Sequence, residues 1–264
     1  MTVKAPSQLD DREQSLAPTG AVVVTGAAQG LGLAIARRFA AERAQVVGLD
    51  LSSAIESKMA ELGDGHGAIR GDAREASLVE RACALAVQLG GSLDAVVLNA
   101  GVTFPGETSG YPIQEWDRVL DNNLGAAFVG AQVSQPFLRS SGSIVMISSI
   151  CASRGFAARA SYCAAKAGIE GLVRSLAMEW GPTGIRVNAV APGAIATDMQ
   201  VAMIAEGRAS TEQYLGRIPM GRIGQPHEIA DAVHYLASPR ASYVNGVVLP
   251  VDGGWAGGGL PARV

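Results

Sequence analysis

The sequence predicts an α/β fold: one doubly wound parallel sheet of about seven strands, layered α/β/α in a single domain. Three observations predict it. From residue 20 onward, short β-branched runs alternate with longer stretches of helical periodicity. The short runs are apolar along their whole length, as strands covered on both faces must be. No Pro/Ser-rich linker or charge run interrupts the 264 residues. The alternation therefore reads as one domain over residues 19–254, with solvated tails at 1–18 and 255–264.

The first strand is Ala21-Val22-Val23-Val24, bounded by Gly20 and Gly26; the helix after it spans 31–43, where Leu31, Leu33, Ile35 and Phe39 recur among alanines. Residues 45–50 give a second strand. Helices near 53–62 and 74–89 alternate with strands near 66–71 and at 93–98. A long helix over 113–139, a strand at 143–147, a helix over 161–181, a strand at 185–190, a helix over 226–237 and a strand at 247–251 complete the series. Right-handed crossovers between parallel strands then place helices on both faces. Residues 198–225 have no strand signal and weak helical periodicity, and are read as a substrate lid.

Composition closes off several classes of function. With 48% hydrophobic and 17% charged residues the chain is too apolar for a disordered protein. Its 33 glycines show no three-residue period, which excludes collagen. A net charge of -3 without a basic cluster is no nucleic-acid footprint. No apolar run reaches the roughly 18–20 residues of a membrane helix, and the N-terminus lacks the apolar core of a signal peptide. Three scattered cysteines (Cys83, Cys151, Cys163) suit a reducing, cytoplasmic setting. His66, His227 and His234 share no ligand spacing, so no metal is expected.

Two local patterns carry chemistry. The stretch Thr25-Gly26-Ala27-Ala28-Gln29-Gly30-Leu31-Gly32 lies between the first strand and the first helix. Glycines at 26, 30 and 32 let backbone N–H groups approach a ligand at a helix N-terminus, a place suited to a pyrophosphate. Asp50 ends the second strand, where a carboxylate accepts from a ribose diol and repels a 2′-phosphate. Neither Leu49 nor Leu51 is basic, and Gln29 stands where an arginine could have met that phosphate. The expected cofactor is NAD; the competing reading of Asp50 is a cap on the next helix. Farther on, Tyr162 and Lys166 are spaced i,i+4 on one helix face lined by small residues. Ser148-Ser149 follows the apolar strand 144–147, at the carboxyl end where open α/β sheets bind ligands. Strand-end hydroxyls can also simply satisfy backbone groups. No Gly-x-Ser-x-Gly elbow surrounds either serine, which argues against a hydrolase.

Taken in order, these motifs resemble the short-chain dehydrogenase/reductase family in its short, single-domain form with a Rossmann-type sheet. The resemblance spans about residues 19–254. It rests on the glycine turn, Asn99-Ala100-Gly101, Ser149 thirteen residues before Tyr162, Tyr-x-x-x-Lys, Pro192-Gly193 with Thr197, and the ending Val251-Asp252-Gly253-Gly254. It implies an NAD-dependent oxidoreductase interconverting a secondary alcohol (a sugar, polyol, hydroxyacyl compound or similar) and its ketone. Tyr162 would be the general acid/base. Lys166 and the oxidised nicotinamide would stabilise its phenolate, Ser149 would bond the substrate oxygen, and Asn123 would hold a water linking Lys166 to solvent. Cofactor contacts would come from Gly26, Gln29, Gly30, Leu31, Gly32, Asp50, Asp72, Ala73, Asn99, Ala100, Gly101, Tyr162, Lys166, Pro192, Gly193, Ile195 and Thr197. Ala73 departs from the branched apolar residue usual after that aspartate.

The substrate pocket is expected to include Ser149, Cys151, Phe156, Tyr162 and Ala194. Arg154 and Arg159 are read as surface residues, with contact to an anionic substrate as the alternative. Cys151 and Cys163 are read as packing residues. The apolar content of the helices at 113–139 and 161–181 fits the family's habit of subunit pairing, so a homotetramer is expected. A dinucleotide-sensing regulatory protein on the same fold is the alternative function. A methyltransferase would need neither the Tyr-Lys pair nor its spacing to Ser149.

Overall fold

The computed structural model describes residues 20–197 and 210–258. The expected tail at 1–18 and the first part of the expected lid, 198–209, lie outside the described residues, as does 259–264.

Seven parallel strands form one sheet in the order β3-β2-β1-β4-β5-β6-β7. They are β1 (Ala21–Thr25), β2 (Gln45–Asp50), β3 (Gly67–Arg70), β4 (Leu93–Leu98), β5 (Leu138–Ile147), β6 (Arg186–Pro192) and β7 (Val248–Val251). The helices are α1 (Gly30–Ala41), α2 (Ile55–Ala60), α3 (Ala76–Gly90), α4 (Ile113–Leu120), α5 (Ala126–Ser134), α6 (Ala160–Trp180), α7 (Thr211–Leu215) and α8 (Pro226–Ala237). Chain order reverses direction between β1 and β4, which opens a crevice at their carboxyl ends.

The strands are apolar throughout because the sheet has a core on each face. Ala21, Val23, Leu49, Val96 and Met146 face one layer; Val22, Val24, Val97, Val145 and Ile147 face the other. Phe39 and Ile35 of α1 are fully buried in the second layer, each contributing roughly 1.5–3 kcal/mol over exposure. α8 begins with Pro226 at its first position and a capping box from Gln225 and Glu228.

The long helix expected over 113–139 is corrected. α4 passes into a π-helical turn at Asp121–Gly125, continues as α5, and stops at Ser134. A short 3₁₀ turn, Gln135–Phe137, holds Pro136, whose ring and missing N–H end the helix. β5 therefore starts at Leu138, which pairs with Leu93, and regular pairing resumes only from Ser143. The expected strand at 143–147 was the regular half of β5. Within the expected lid, residues 211–215 form α7, and Gly224 bridges Ile195 in parallel fashion.

Candidate active site

The glycine turn is closed by contacts that only glycine permits. Gly26 and Gly30 are left-handed, with φ of 67° and 54°. A Cβ on Gly32 would lie 1.9 Å from the Gly26 carbonyl oxygen. Thr25 braces the turn from below: its hydroxyl accepts from the backbone N–H of Asn99 (3.0 Å) and Ala100 (3.1 Å). The Asn99 amide donates to the carbonyls of Thr25 and Gly26. Asn99 thus fixes the turn with its side chain. Gln29 is exposed at the α1 N-cap and makes no capping bond, so the N-terminal amides stay open to a ligand. Among the described residues Gly30 has only Thr197 near the position of a Cβ, at 4.0 Å, which suits the cradle a pyrophosphate needs.

Asp50 stands beside this cradle. One carboxylate oxygen accepts from Ala28 N (2.9 Å) and the other from Ser52 N (2.8 Å). The Ser52 contact is a local turn; the Ala28 contact ties the charge to the glycine turn. Asp72 is gripped by Arg74, at 2.6 Å, and this guanidinium holds its carboxyl below the usual range. Ala73, next to it, is buried.

The reactive residues meet where β5, α6 and the π-helical turn converge. Lys166 is 3% exposed; its ammonium donates to the Ile147 carbonyl at 2.7 Å and sits 5.5 Å from the Tyr162 ring centre. The π-helical turn carries Asn123, whose amide donates to Val102 O (2.7 Å) and Val119 O (2.8 Å). Its Oδ1 is buried without a partner among the described residues. An atom at the Cβ position of Gly101 would lie 2.4 Å from that oxygen and 3.7 Å from Lys166 Nζ. The absence of a side chain at Gly101 therefore keeps open the space between them. Ser148 turns inward to Glu170 and the Lys166 carbonyl, while the Ser149 hydroxyl accepts from Cys151 N and lines the same cavity as the Tyr162 phenol.

Burial dominates the electrostatics here. It pushes the Tyr162 phenol up to about 12, with Cys151 adding to the rise, while the Ser149 hydrogen bond and the Arg159 charge pull it down. Burial lowers Lys166 to about 8. Burial also raises Cys151, so this thiol stays protonated and packs.

A cavity of about 220 Å³ opens at these groups. Ser149, Cys151, Phe156, Tyr162 and Ala194 line it, as do Leu31, Pro192, Gly193, Ile195 and Thr197. Arg159 lines it too, which corrects its placement on the surface; Arg154 instead reaches the Ala256 carbonyl. Trp255, assigned by sequence to a tail, is a wall of the cavity and packs on Phe156 (5.5 Å) and Tyr214 (6.0 Å). The Asp252 carboxylate accepts from Gly254 N and Ala256 N, and Gly253 and Gly254 are left-handed, so the chain folds back and carries Trp255 with it. The Asp-Gly-Gly-Trp run held that signal.

A family model described as enoyl-(acyl carrier protein) reductase matches residues 26–256. The 3β-hydroxysteroid dehydrogenase 1 of Eggerthella lenta is 40% identical over 243 residues, covering 88% of this chain and 92% of that one. The cis-4-hydroxycyclohexanecarboxylate dehydrogenase of Sinomonas cyclohexanicum is 40% identical over 243 residues, covering 88% and 95%. A solved structure from Beutenbergia cavernae, provisionally assigned as an NAD(P)-dependent gluconate 5-dehydrogenase and holding NADP at low occupancy, superposes with a TM-score of 0.85. It shares 34% identity over 92% of this chain and 100% of that one.

Proposed function

The chain belongs to the short-chain dehydrogenase/reductase family, and from that premise we propose that it interconverts a secondary alcohol and its ketone with NAD(H), Tyr162 serving as general acid/base. One observation carries the reading: Tyr162 and Ser149 line one cavity at the carboxyl end of the sheet while the Lys166 ammonium lies 5.5 Å from the phenol ring centre.

The glycine turn and the α1 amides would hold the pyrophosphate, and Asp50 would accept from the adenosine ribose diol. Asp72 and Ala73 would border the adenine, and the 99–101 backbone and Lys166 would meet the nicotinamide ribose. Pro192, Gly193, Ile195 and Thr197 would frame the carboxamide. What the dinucleotide supplies when bound is a hydride acceptor and, in its oxidised form, a positive charge.

In oxidation, Tyr162 takes the hydroxyl proton of the alcohol while Ser149 donates to the same oxygen and steadies the charge that develops there. A phenol raised to about 12 rests in its acid form, ready to donate in the reverse direction. A second cation beside Lys166 is needed before it serves as a base near neutral pH. The unpartnered Asn123 Oδ1 would accept from a water next to Lys166 Nζ, a route for the proton to leave.

Tyr162→Phe removes the proton while keeping the ring. Turnover on any active alcohol should fall by roughly 10²–10⁴-fold, with NADH binding, followed by its fluorescence, unchanged. Near-normal turnover in this variant would overturn the assignment.

A further inference from the structure

The proposed chemistry accounts for the hydroxyl and phenol in the cavity but leaves Arg159 without a task. Arg159 is half-buried at the N-cap of α6, three residues before Tyr162, and lines the same cavity. Of its five N–H donors, Nη1 donates to Thr103 Oγ1 at 3.1 Å. Among the described residues no carboxylate forms an ion pair with it, although Arg38, Arg74, Arg118, Arg139 and Arg222 each have one. Its backbone is held at a cost. Ala158, immediately before it, is left-handed at φ 58°, a conformation that disfavours a residue with a Cβ by roughly 1–2 kcal/mol. Gly106 N fixes the Ala158 carbonyl at 3.0 Å.

Much of the remaining wall is apolar, with Ser148 and Thr197 adding hydroxyls. Phe156, Trp255 and Tyr214 form an aromatic row, and Ile150 and Ala194 also line the cavity. About 220 Å³ is below the ~300–1,000 Å³ of sites for drug-sized ligands. One guanidinium beside one hydroxyl matches a singly charged, planar anion. The other nearby cation, Arg154, is turned to the Ala256 carbonyl.

We propose that the substrate carries a carboxylate bound by Arg159, set apart from its carbinol carbon by a compact apolar body packed on Phe156 and Trp255. This deepens the dehydrogenase reading and rests on it for the reacting carbon alone. Arg159 then sets specificity: it selects for the acid while Tyr162 reacts at the carbinol carbon of the same molecule.

The test is a calorimetric titration of the purified protein, with and without NADH, using cyclohexanecarboxylate, cyclohexanecarboxamide and cyclohexyl phosphate. Wild type should bind the carboxylate roughly ten-fold or more tightly than the amide, as one charge-assisted hydrogen bond allows. The dianionic phosphate should bind less tightly than the carboxylate. Arg159→Met should erase the preference and leave amide binding unchanged; Arg159→Lys should restore part of it. Equal binding of acid and amide by wild type, a preference that survives Arg159→Met, or tighter binding of the phosphate overturns the proposal. In turnover, Arg159→Met should raise KM for 4-oxocyclohexanecarboxylate by at least ten-fold more than it raises KM for 4-methylcyclohexanone. The titration requires no catalysis, so its failure is separable from failure of the dehydrogenase reading, which Tyr162→Phe decides.

Discussion

Asp50 accepts two backbone hydrogen bonds with its two oxygens and still keeps lone pairs for a ribose hydroxyl. A 2′-phosphate brought to the same place meets a negative charge that Ala28 N holds still. Asp50→Ala should therefore lower kcat/KM with NAD by about ten-fold, one hydrogen bond to a charged acceptor being worth about 1.5–3 kcal/mol, and narrow the gap to NADP. Steady-state kinetics with both cofactors measure it, and a wild-type preference for NADP contradicts it. Lys166 gives a second, pH-dependent expectation. Its folded-state value of about 8 lies below the ordinary 10.5, so between those two pH values the unfolded chain holds more protons and stability rises with pH. Below pH 8 the full cost of burying the charge is present, on the order of 3 kcal/mol. Lys166→Met, measured by calorimetry without cofactor, should melt above wild type at pH 7, and the gap should shrink by pH 10. Tyr162 and Lys166 were legible because both belong to one helix, where spacing alone sets the shared face. The orphaned oxygen of Asn123 was not legible, because it depends on carbonyls of Val102 and Val119 that only folding brings to the amide.

At the scale of elements, the strands read well because burial on both faces leaves continuous apolar runs. β2 and β4 end where the sequence places them. The stretch 113–139 read poorly for an equally physical reason. A π-helical turn changes no hydrophobic period visible over five residues, and the apolar pattern on either side of Pro136 runs on as if the helix continued. The end of α8 shows another feature that periodicity does not carry. Arg186, 8% exposed on β6, donates to the carbonyls of Leu236, Ala237, Ser238 and Val244 and faces no carboxylate among the described residues. It supplies the positive charge and donors that a helix C-terminus lacks. Arg186→Met should destabilise the fold by about 2–4 kcal/mol, since several buried carbonyls lose their donor at once. Denaturant titration measures the loss, and a change under ~0.5 kcal/mol would contradict this account of the helix end.

Across the whole molecule, no helix among the described residues is long and apolar enough to cross a membrane. Large apolar side chains remain outside nonetheless: Phe128 on α5 is 48% exposed and Met178 on α6 is 80% exposed. We propose the homotetramer as the assembly, with these side chains of α5 and α6 at its subunit contacts. Light scattering at micromolar concentration should give four copies in wild type and fewer in a Phe128→Asp, Met178→Asp double variant. A monomeric wild type contradicts the expectation. The placement of Trp255 bears on how the protein is followed in the laboratory. Because its indole forms a side of the cavity, the intrinsic emission of Trp255 should shift when a small molecule fills that space, a signal of occupancy that needs no turnover.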